Sequence, residues 1–239
     1  MDAMADEWVC PITTELPLDP VTAEDGHAYE RSAIEELIRV QGARLKSPIT
    51  NLPMGSCLFP NTQARNTIEK LCRSGAIGDK AERWLLRLSD EELVKATVQE
   101  AEGGDVSAMC SLCLWHHKGT HGLSVDAEAA FRWAKKGADL RDVACMSFAG
   151  SQMLGGYGCK EQVGRGIAML VEAAMGGSRC AAFFLGDVYY DGDHEDFGFP
   201  KCKEEAKVWY SRVAGSSIHD LDQELVIEAA MRAHESDDE

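Results

Sequence analysis

The sequence predicts a small α+β domain at the N-terminus, followed by an all-α solenoid built from helical hairpins. Prolines and loop-forming motifs dominate up to about residue 74, whereas alanine-rich helical segments broken by paired glycines follow. In the second part, a pattern of small and large apolar residues returns after a shift of 36 residues. A fixed period of this size is typical of stacked supersecondary units. We therefore predict two parts of different architecture, with their boundary between residues 74 and 90.

Composition and charge exclude several classes of protein. The chain has 239 residues, 45% of them hydrophobic, which is enough for one or two packed domains. Its formal net charge of −16 argues against nucleic acid as a partner, because phosphate is bound by basic patches. No apolar run approaches the length that spans a bilayer, so no membrane partner is expected. The N-terminus shows no secretory signal, and the nine scattered cysteines then indicate reduced thiols in a cytoplasmic protein, with the nucleus as the alternative.

Four short motifs follow one another in the first domain. An amphipathic helix pattern at 33–38 lies between the second and third motifs, and another, with Ile68 and Leu71, follows the fourth. Each motif alone is a weak signal, so the information lies in their order and spacing. The motifs are Cys10-Pro11-Ile12-Thr13, Asp25-Gly26-His27-Ala28-Tyr29-Glu30-Arg31, Ser47-Pro48-Ile49-Thr50-Asn51 and Leu58-Phe59-Pro60-Asn61.

In this order the motifs resemble the U-box, a zinc-free relative of the RING domain. The two zinc ions of a RING domain need eight ligands, mostly cysteines in paired spacings. The first domain offers only Cys10, Cys57, Cys72 and His27, with no CxxC pair, so we expect no metal and no cofactor. Such a fold must be held by an apolar core and by polar side chains that bond to loop backbones. Ordinary solvated loop residues are the alternative for each polar position that the resemblance implies, namely Asp19, Asp25, Glu30, Arg31 and Ser47.

The resemblance implies a function in ubiquitin transfer without covalent chemistry on this chain. Members of the family bind a ubiquitin-conjugating enzyme that carries ubiquitin as a thioester. They hold this conjugate in a folded-back geometry near a substrate lysine, so that positioning supplies the acceleration. By position, the resemblance implies four residues that contact the conjugating enzyme: Ile12 and Thr14 in loop one, Leu37 in the first helix and Pro48 in loop two. Core packing is the alternative for Leu37, and stiffening of a turn is the alternative for Pro48.

Two positions depart from what the family usually has. Thr14 lies where some relatives have a bulky aromatic residue, and the change would weaken or redirect the choice of conjugating enzyme. Asn51 lies where many relatives have a side chain that locks the conjugate in its active geometry. Asparagine can donate and accept hydrogen bonds, but it lacks the charge and the fork of arginine. We therefore expect modest stimulation of transfer, with Asn51 as the candidate conjugate-locking residue.

A repeated unit fills most of the second part of the chain. The units resemble Sel-1-like repeats, a branch of the tetratricopeptide-type α-solenoids. In the second unit, Gln152 occupies the aromatic position of the repeat, and Gly166 and Met169 replace its alanine and tryptophan. A shift of 36 aligns Ala108, Leu112 and Gly119 with Ala144, Phe148 and Gly155.

These observations predict the division of the chain. We expect a U-box at 5–76, a helical linker at 77–92, the repeat solenoid at 93–218, a capping helix at 219–234 and an acidic tail at 235–239. In the linker, Asp79–Leu88 is predicted as one helix, and the capping box at 89–92 is predicted to start the next. The C-terminal helix would cover the last apolar face of the solenoid.

The sequence favours a two-part ubiquitin ligase, in which the U-box binds the charged conjugating enzyme and the repeats recruit a protein substrate or scaffold. The alternative is a non-catalytic adaptor with a folded but weakly active U-box, and Thr14 and Asn51 are its main support. A chaperone-binding cofactor rests only on analogy with tetratricopeptide domains and is disfavoured by the acidic repeats.

Overall fold

The computed structural model describes residues 6–75, 77–192, 194–214 and 231–232. The chain divides into two compact units, Met1–Leu93 and Val94–Glu239. The first contains a small sheet and helices, whereas the described part of the second is almost entirely helical. The predicted fold class, an α+β part followed by an all-α part, is therefore confirmed.

A three-stranded antiparallel sheet lies in the middle of the first unit. Strand β1 (Pro20–Ala23) is central, with β2 (Ala28–Glu30) on one side and β3 (Leu58–Pro60) on the other. Val21 pairs with Tyr29 in β2 and with Pro60 in β3. The sheet thus places β1 between β2 of the second motif and β3 of the fourth motif, which are some thirty residues apart in sequence.

Two helices of the first unit start and stop where the sequence provides a signal. Helix α1 (Arg31–Gln41) ends at Gly42, which has φ +51° and donates its N–H to the Ile38 carbonyl. Helix α2 (Thr62–Arg73) starts at Asn61, whose Oδ1 accepts from the Ala64 N–H at 2.9 Å. A cap of this kind stabilises a helix by about 1 kcal/mol. The buried cluster associated with α1 consists of Cys10, Val21, Ala23, Tyr29 and Ile34.

The third helix, α3 (Gly78–Glu102), is continuous. The predicted helix start at Ser89 is wrong, because no glycine or proline occurs between Asp79 and Glu102 and a serine alone does not stop a helix. The first half of α3 packs into a second buried cluster, where Trp84 is 1% exposed and donates from Nε1 to the Pro17 carbonyl at 3.0 Å. The segment predicted as a linker therefore contributes to the core of the first unit. This cluster consists of Leu16, Ile68, Cys72, Ile77, Ala81, Trp84 and Leu88.

Six further helices pack in chain order in the described part of the second unit. They are α4 (Val106–Lys118), α5 (Ala127–Asp139), α6 (Val143–Gly155), α7 (Val163–Met175), α8 (Arg179–Asp191) and α9 (Lys203–Ala214). Each contacts the next one, and α6 also contacts α4 and α8. The hairpins are thus α4–α5, α6–α7 and α8–α9, and their first helices lie side by side. In the described ranges, no helix is both long and apolar enough to cross a membrane.

Side-chain caps place the start of the second repeat one residue later than the shift of 36 does. Asp142 accepts from the N–H of Cys145, as Asp105 accepts from that of Ala108. Cys145, which is buried, therefore corresponds to Ala108, whereas Ala144 is exposed. The two aspartate caps therefore mark a shift of 37 residues between α4 and α6.

The same offset holds to the end of α6. Gly156 has φ +66° and donates its N–H to the Gln152 carbonyl, as Gly119 with φ +68° donates to that of Trp115. Gly156, not Gly155, is therefore the terminating glycine. Gln152 therefore corresponds to Trp115 of the first hairpin. It does not occupy the aromatic position of the Sel-1-like repeat, to which the sequence analysis had assigned it. The following loop is one residue shorter, which restores the shift of 36 for α7.

The predicted capping helix at 219–234 and the acidic tail at 235–239 lie outside the described residues, apart from Met231 and Arg232, which are helical. Arg232 Nη1 lies 2.6 Å from Asp187 Oδ1 and donates to the Tyr210 hydroxyl at 3.2 Å. Arg232 thereby binds to α8 and α9 of the last hairpin.

Candidate functional site

Two turns of matching sequence, CPITTE at 10–15 (loop one) and SPITNL at 47–52 (loop two), have the same backbone hydrogen bonds. In each turn the first residue donates its N–H to the carbonyl of the sixth and accepts from the N–H of the fifth. These distances are 2.8 and 2.8 Å in loop one and 2.9 and 3.0 Å in loop two. The two loops are therefore closed, and each presents its second to fifth residues at the bend.

The fifth residue of each loop has a left-handed backbone conformation. Thr14 has φ +59° and Asn51 has φ +56°, and both residues are exposed. Asparagine visits this region more readily than other non-glycine residues, whereas a β-branched threonine is strained there. The two positions that the sequence analysis singled out, Thr14 and Asn51, are thus structurally equivalent, and the shape of the turn fixes the backbone of both.

The first residue of each loop ties it to strand β2. Cys10 Sγ accepts from the Glu30 N–H at 3.2 Å. The Ser47 hydroxyl accepts from the N–H groups of the second and third residues after it, at 3.2 and 3.0 Å, and hydrogen-bonds Asp25. Asp25 in turn accepts from the Tyr29 hydroxyl at 2.7 Å. Neighbouring residues of β2, Tyr29 and Glu30, therefore anchor the two loops.

The environment of Asp25 favours its charged form. Burial acts to raise its pKa, but hydrogen bonds from Ser47, from the His27 backbone and from Tyr29 outweigh that effect, and the pKa of Asp25 is lowered. The pKa of the Tyr29 hydroxyl is raised by burial and by its bond to Asp25, so this hydroxyl stays protonated as a donor. Asp25 is therefore an ionised acceptor at the base of loop two.

The remaining predicted polar residues fasten the segment between loop one and β1. The Glu30 carboxylate is buried and accepts from the N–H groups of Leu18 and Asp19 at 2.7 and 3.2 Å. Arg31 Nε donates to Asp19 Oδ2 at 2.6 Å. This partly exposed ion pair raises the pKa of Arg31, chiefly through the hydrogen bond. Glu30 and Arg31 thus hold the chain as it leaves loop one and enters the sheet.

Arg87 on α3 completes this arrangement, and the sequence analysis did not identify it. Its guanidinium donates to the Leu16 carbonyl at 3.0 Å and lies 2.9 Å from Glu15 Oε2 and 3.3 Å from Glu30 Oε2. Arg87 therefore braces the end of loop one from a helix more than fifty residues away in sequence. No motif signals such a distant contact, and only the periodicity of α3 places Arg87 on the same side as Trp84.

The apolar residues predicted to contact the conjugating enzyme differ in burial. Ile12 and Leu37 are half-buried and pack against the cluster around α1. Pro48 is exposed, and two residues that the sequence analysis did not select, Ile49 and Leu52, are 46% and 64% exposed. Large exposed apolar side chains grouped in one closed loop are a feature of binding surfaces. We name these five residues, Ile12, Leu37, Pro48, Ile49 and Leu52, the loop surface.

Among the described residues, no group of three or more His, Cys, Asp or Glu side chains is arranged to hold a metal ion. Cys10 and Cys72 are buried in apolar clusters, and Cys57 is exposed beside Glu24.

Comparisons with known proteins agree with this geometry in the first unit. Residues 4–76 match the family model of the U-box domain. The chicken (Gallus gallus) WD repeat, SAM and U-box domain-containing protein 1 is 46% identical over 69 residues, which are 28% of this chain and 14% of that protein. LIN-1 of Lotus japonicus, whose name presents it as a provisionally assigned E3 ubiquitin-protein ligase, is 43% identical over 56 residues, 23% of this chain and 4% of that protein. The predicted resemblance to the U-box is confirmed, while the chain covers only a small part of either relative.

A solved structure is similar to part of the chain. The Sel1 repeat protein from Oxalobacter formigenes is 25% identical, with a TM-score of 0.44, and the match covers 52% of this chain and 90% of that one. The hairpins, their caps and their terminating glycines described above define the repeat of this chain independently of that similarity.

Proposed function

We propose that the protein is a ubiquitin ligase whose U-box binds a ubiquitin-conjugating enzyme charged with ubiquitin, and whose helical hairpins bind a protein substrate or scaffold. The observation that carries this proposal is the match of residues 4–76 to the U-box together with the exposed apolar side chains of the matched loops. The second function of the chain, recruitment, is supported by the row of first helices α4, α6 and α8.

The proposed role of the U-box is positioning. The amine of the substrate lysine attacks the thioester carbonyl, the C–S bond breaks so that the conjugating-enzyme thiolate leaves, and the amine proton is released. No atom of this chain forms a covalent bond. A rigid surface accelerates such a step by restricting the donor to reactive orientations. The two closed loops, anchored at adjacent residues of β2, supply that rigidity. Carrying the recruiting module on the same chain raises the effective concentration of substrate lysines.

The loop surface divides into supporting and contacting residues. Ile12 and Leu37 join the core on one side and remain half-exposed on the other, so they would both shape and contact the surface. Pro48 and Ile49 stand outside the core and would enter the partner. Asn51 is exposed at the end of the same bend, where its amide would bond the bound conjugate.

A lysine-discharge assay with a panel of conjugating enzymes tests the proposal. The wild-type protein is expected to shorten the lifetime of the ubiquitin thioester, and Pro48→Ala to slow that discharge about tenfold or more, because truncating an interface anchor costs at least about 1–2 kcal/mol. Ile12→Ala is expected to slow discharge to a similar extent, and its melting temperature is measured because Ile12 is half-buried. Autoubiquitination is expected to be reduced in the same variants.

Leu86→Ala is the matched control, because Leu86 is an exposed apolar residue of the first unit that lies on α3, outside the loop surface. It is expected to discharge like the wild type. Full activity of both Pro48→Ala and Ile12→Ala would reject the loop surface as the docking site. If the protein leaves the thioester lifetime of every conjugating enzyme in the panel unchanged, the result would favour the adaptor. The short Asn51 side chain is the specific support for that alternative.

A further inference from the structure

The first helices of the three hairpins line two adjoining cavities of about 600 and 640 Å³. Phe148 on α6 and Phe184 on α8 line both cavities, so the two form one groove across α4, α6 and α8. We name it the hairpin groove. It lies wholly within the second unit, away from the loop surface in sequence.

Gln152 is the unusual residue of the hairpin groove. Its side chain is 4% exposed, and neither its amide nitrogen nor its amide oxygen has a hydrogen-bond partner among the described residues. Burying such a group unpaired is unfavourable, because it loses its hydrogen bonds to water and gains none in return. The equivalent positions in the other two hairpins hold Trp115 and Val188, so packing of the repeat does not require a polar residue here.

An amide side chain offers both a donor and an acceptor. A peptide group of an extended chain offers the complementary acceptor and donor, which makes a protein segment the natural partner of Gln152. The walls suit such a segment, because Phe148, Phe184 and Tyr157 supply apolar faces along the groove. The His117 ring packs edge-on against the Phe148 ring, with their centroids 5.1 Å apart, and narrows the groove beside Phe148.

Charge selects among such segments. Asp187 and Asp191 lie one turn apart on α8 and both line the cavity that contains Gln152. Asp187 already binds Tyr210 and Arg232, whereas Asp191 is exposed and has no ion-pair partner among the described residues. Together with the net charge of −16, this arrangement attracts a basic side chain and repels an acidic segment.

We propose that the hairpin groove binds an extended segment of a partner protein, with a backbone peptide group on Gln152, an apolar side chain against Phe148 and Phe184, and a lysine or arginine beside Asp191. The assignment deepens the proposed function and rests on it, since the segment would belong to the substrate or scaffold that the repeats recruit.

The test uses the full-length protein and a phage-displayed library of random dodecapeptides, followed by fluorescence anisotropy with the most enriched peptide. Enrichment of peptides that combine a basic with an apolar residue is expected. Gln152→Leu is expected to bind that peptide about tenfold more weakly and to melt no lower than the wild type, because the substitution removes a buried unpaired amide. Asp191→Asn is expected to weaken binding about threefold and to reduce its salt dependence.

Glu128→Gln, which removes an exposed carboxylate on α5, is the control and is expected to bind like the wild type. Enrichment of acidic peptides, absence of any enrichment, or undiminished binding by Gln152→Leu would overturn the assignment. Lysine discharge and peptide binding by the wild-type protein separate the two proposals, and Gln152→Leu is expected to discharge like the wild type. Discharge without peptide binding rejects the groove alone, and peptide binding without discharge in any preparation rejects the ligase.

Discussion

Asn51 and Thr14 show how one backbone angle limits what a turn can hold. Both residues have φ near +57°, within a few degrees of each other, because the two turns close with the same hydrogen bonds. A long side chain at Asn51 would have to accept the left-handed conformation, which costs non-glycine residues roughly 1 kcal/mol. Asparagine therefore meets the conformational requirement of the turn. The turn then limits how the Asn51 side chain can contact a conjugate.

The charge of Asp25 has a predictable effect on stability. Because the folded-state pKa of Asp25 lies below its unfolded value, the carboxylate contributes stability above the unfolded pKa and loses that contribution as pH falls through the folded pKa. Asp25→Asn is expected to lower the free energy of unfolding by about 1–3 kcal/mol at about pH 6, since Ser47 and Tyr29 lose an ionic acceptor. The difference from the wild type is expected to shrink towards about pH 3.

Urea denaturation at both pH values measures this difference. Glu82→Gln is the control, because Glu82 is exposed on α3, and its substitution is expected to change stability little at either pH. A pH-independent gap between wild type and Asp25→Asn would show that the carboxylate acts only through its shape.

At the level of elements, the sequence predicted those structural features that local signals encode. The order of the motifs identified the U-box, and the 36-residue shift identified the hairpins. It misplaced the start of the second repeat because the loop after α4 is one residue longer than the loop after α6, so a single shift of 36 cannot align both helices of the two hairpins. It divided α3 at Ser89 because a capping box is only a local preference, which a continuous helix overrides when its far side is packed. Arg87 and Gln152 gained their meaning only from tertiary contacts.

Gly166 illustrates a sequence irregularity with a packing cause. It replaces an alanine of the repeat, and a Cβ added there would lie 2.7 Å from the Gly150 carbonyl oxygen on the neighbouring helix α6. Helix α7 therefore approaches α6 more closely than a side chain permits. Gly166→Ala is expected to destabilise the protein by about 1–3 kcal/mol through overpacking, although alanine is the better helix former.

Gly164→Ala, two residues away on the same helix, is the matched control. A Cβ there meets nothing within 4 Å, so the substitution is expected to stabilise by a few tenths to about 1 kcal/mol. Thermal and urea denaturation of the two variants give the comparison. Stabilisation by both would show that α6 and α7 have room to separate, and the close approach would then carry no energetic weight.

At the scale of the whole molecule, the boundary between the two units falls inside α3 and not at the end of the family match. The U-box match stops at residue 76, whereas the first compact unit extends to Leu93. The additional residues bury Trp84 and place the Arg87 guanidinium on Leu16 and Glu30. The first half of α3 is thus a packed extension of the U-box, and shortening the chain at the family boundary removes part of a core.

A comparison of two fragments tests this division. Fragment 1–93 is expected to unfold cooperatively, whereas fragment 1–76 is expected to be less stable by at least about 3–5 kcal/mol, the cost of losing a buried tryptophan alone, and therefore to be largely unfolded. Circular dichroism during urea denaturation measures both. Trp84→Ala in fragment 1–93 should reproduce most of the loss, and Leu86→Ala, which truncates an exposed neighbour, should not. Equal stability of the two fragments would mean that α3 merely rests on a core completed by residue 76.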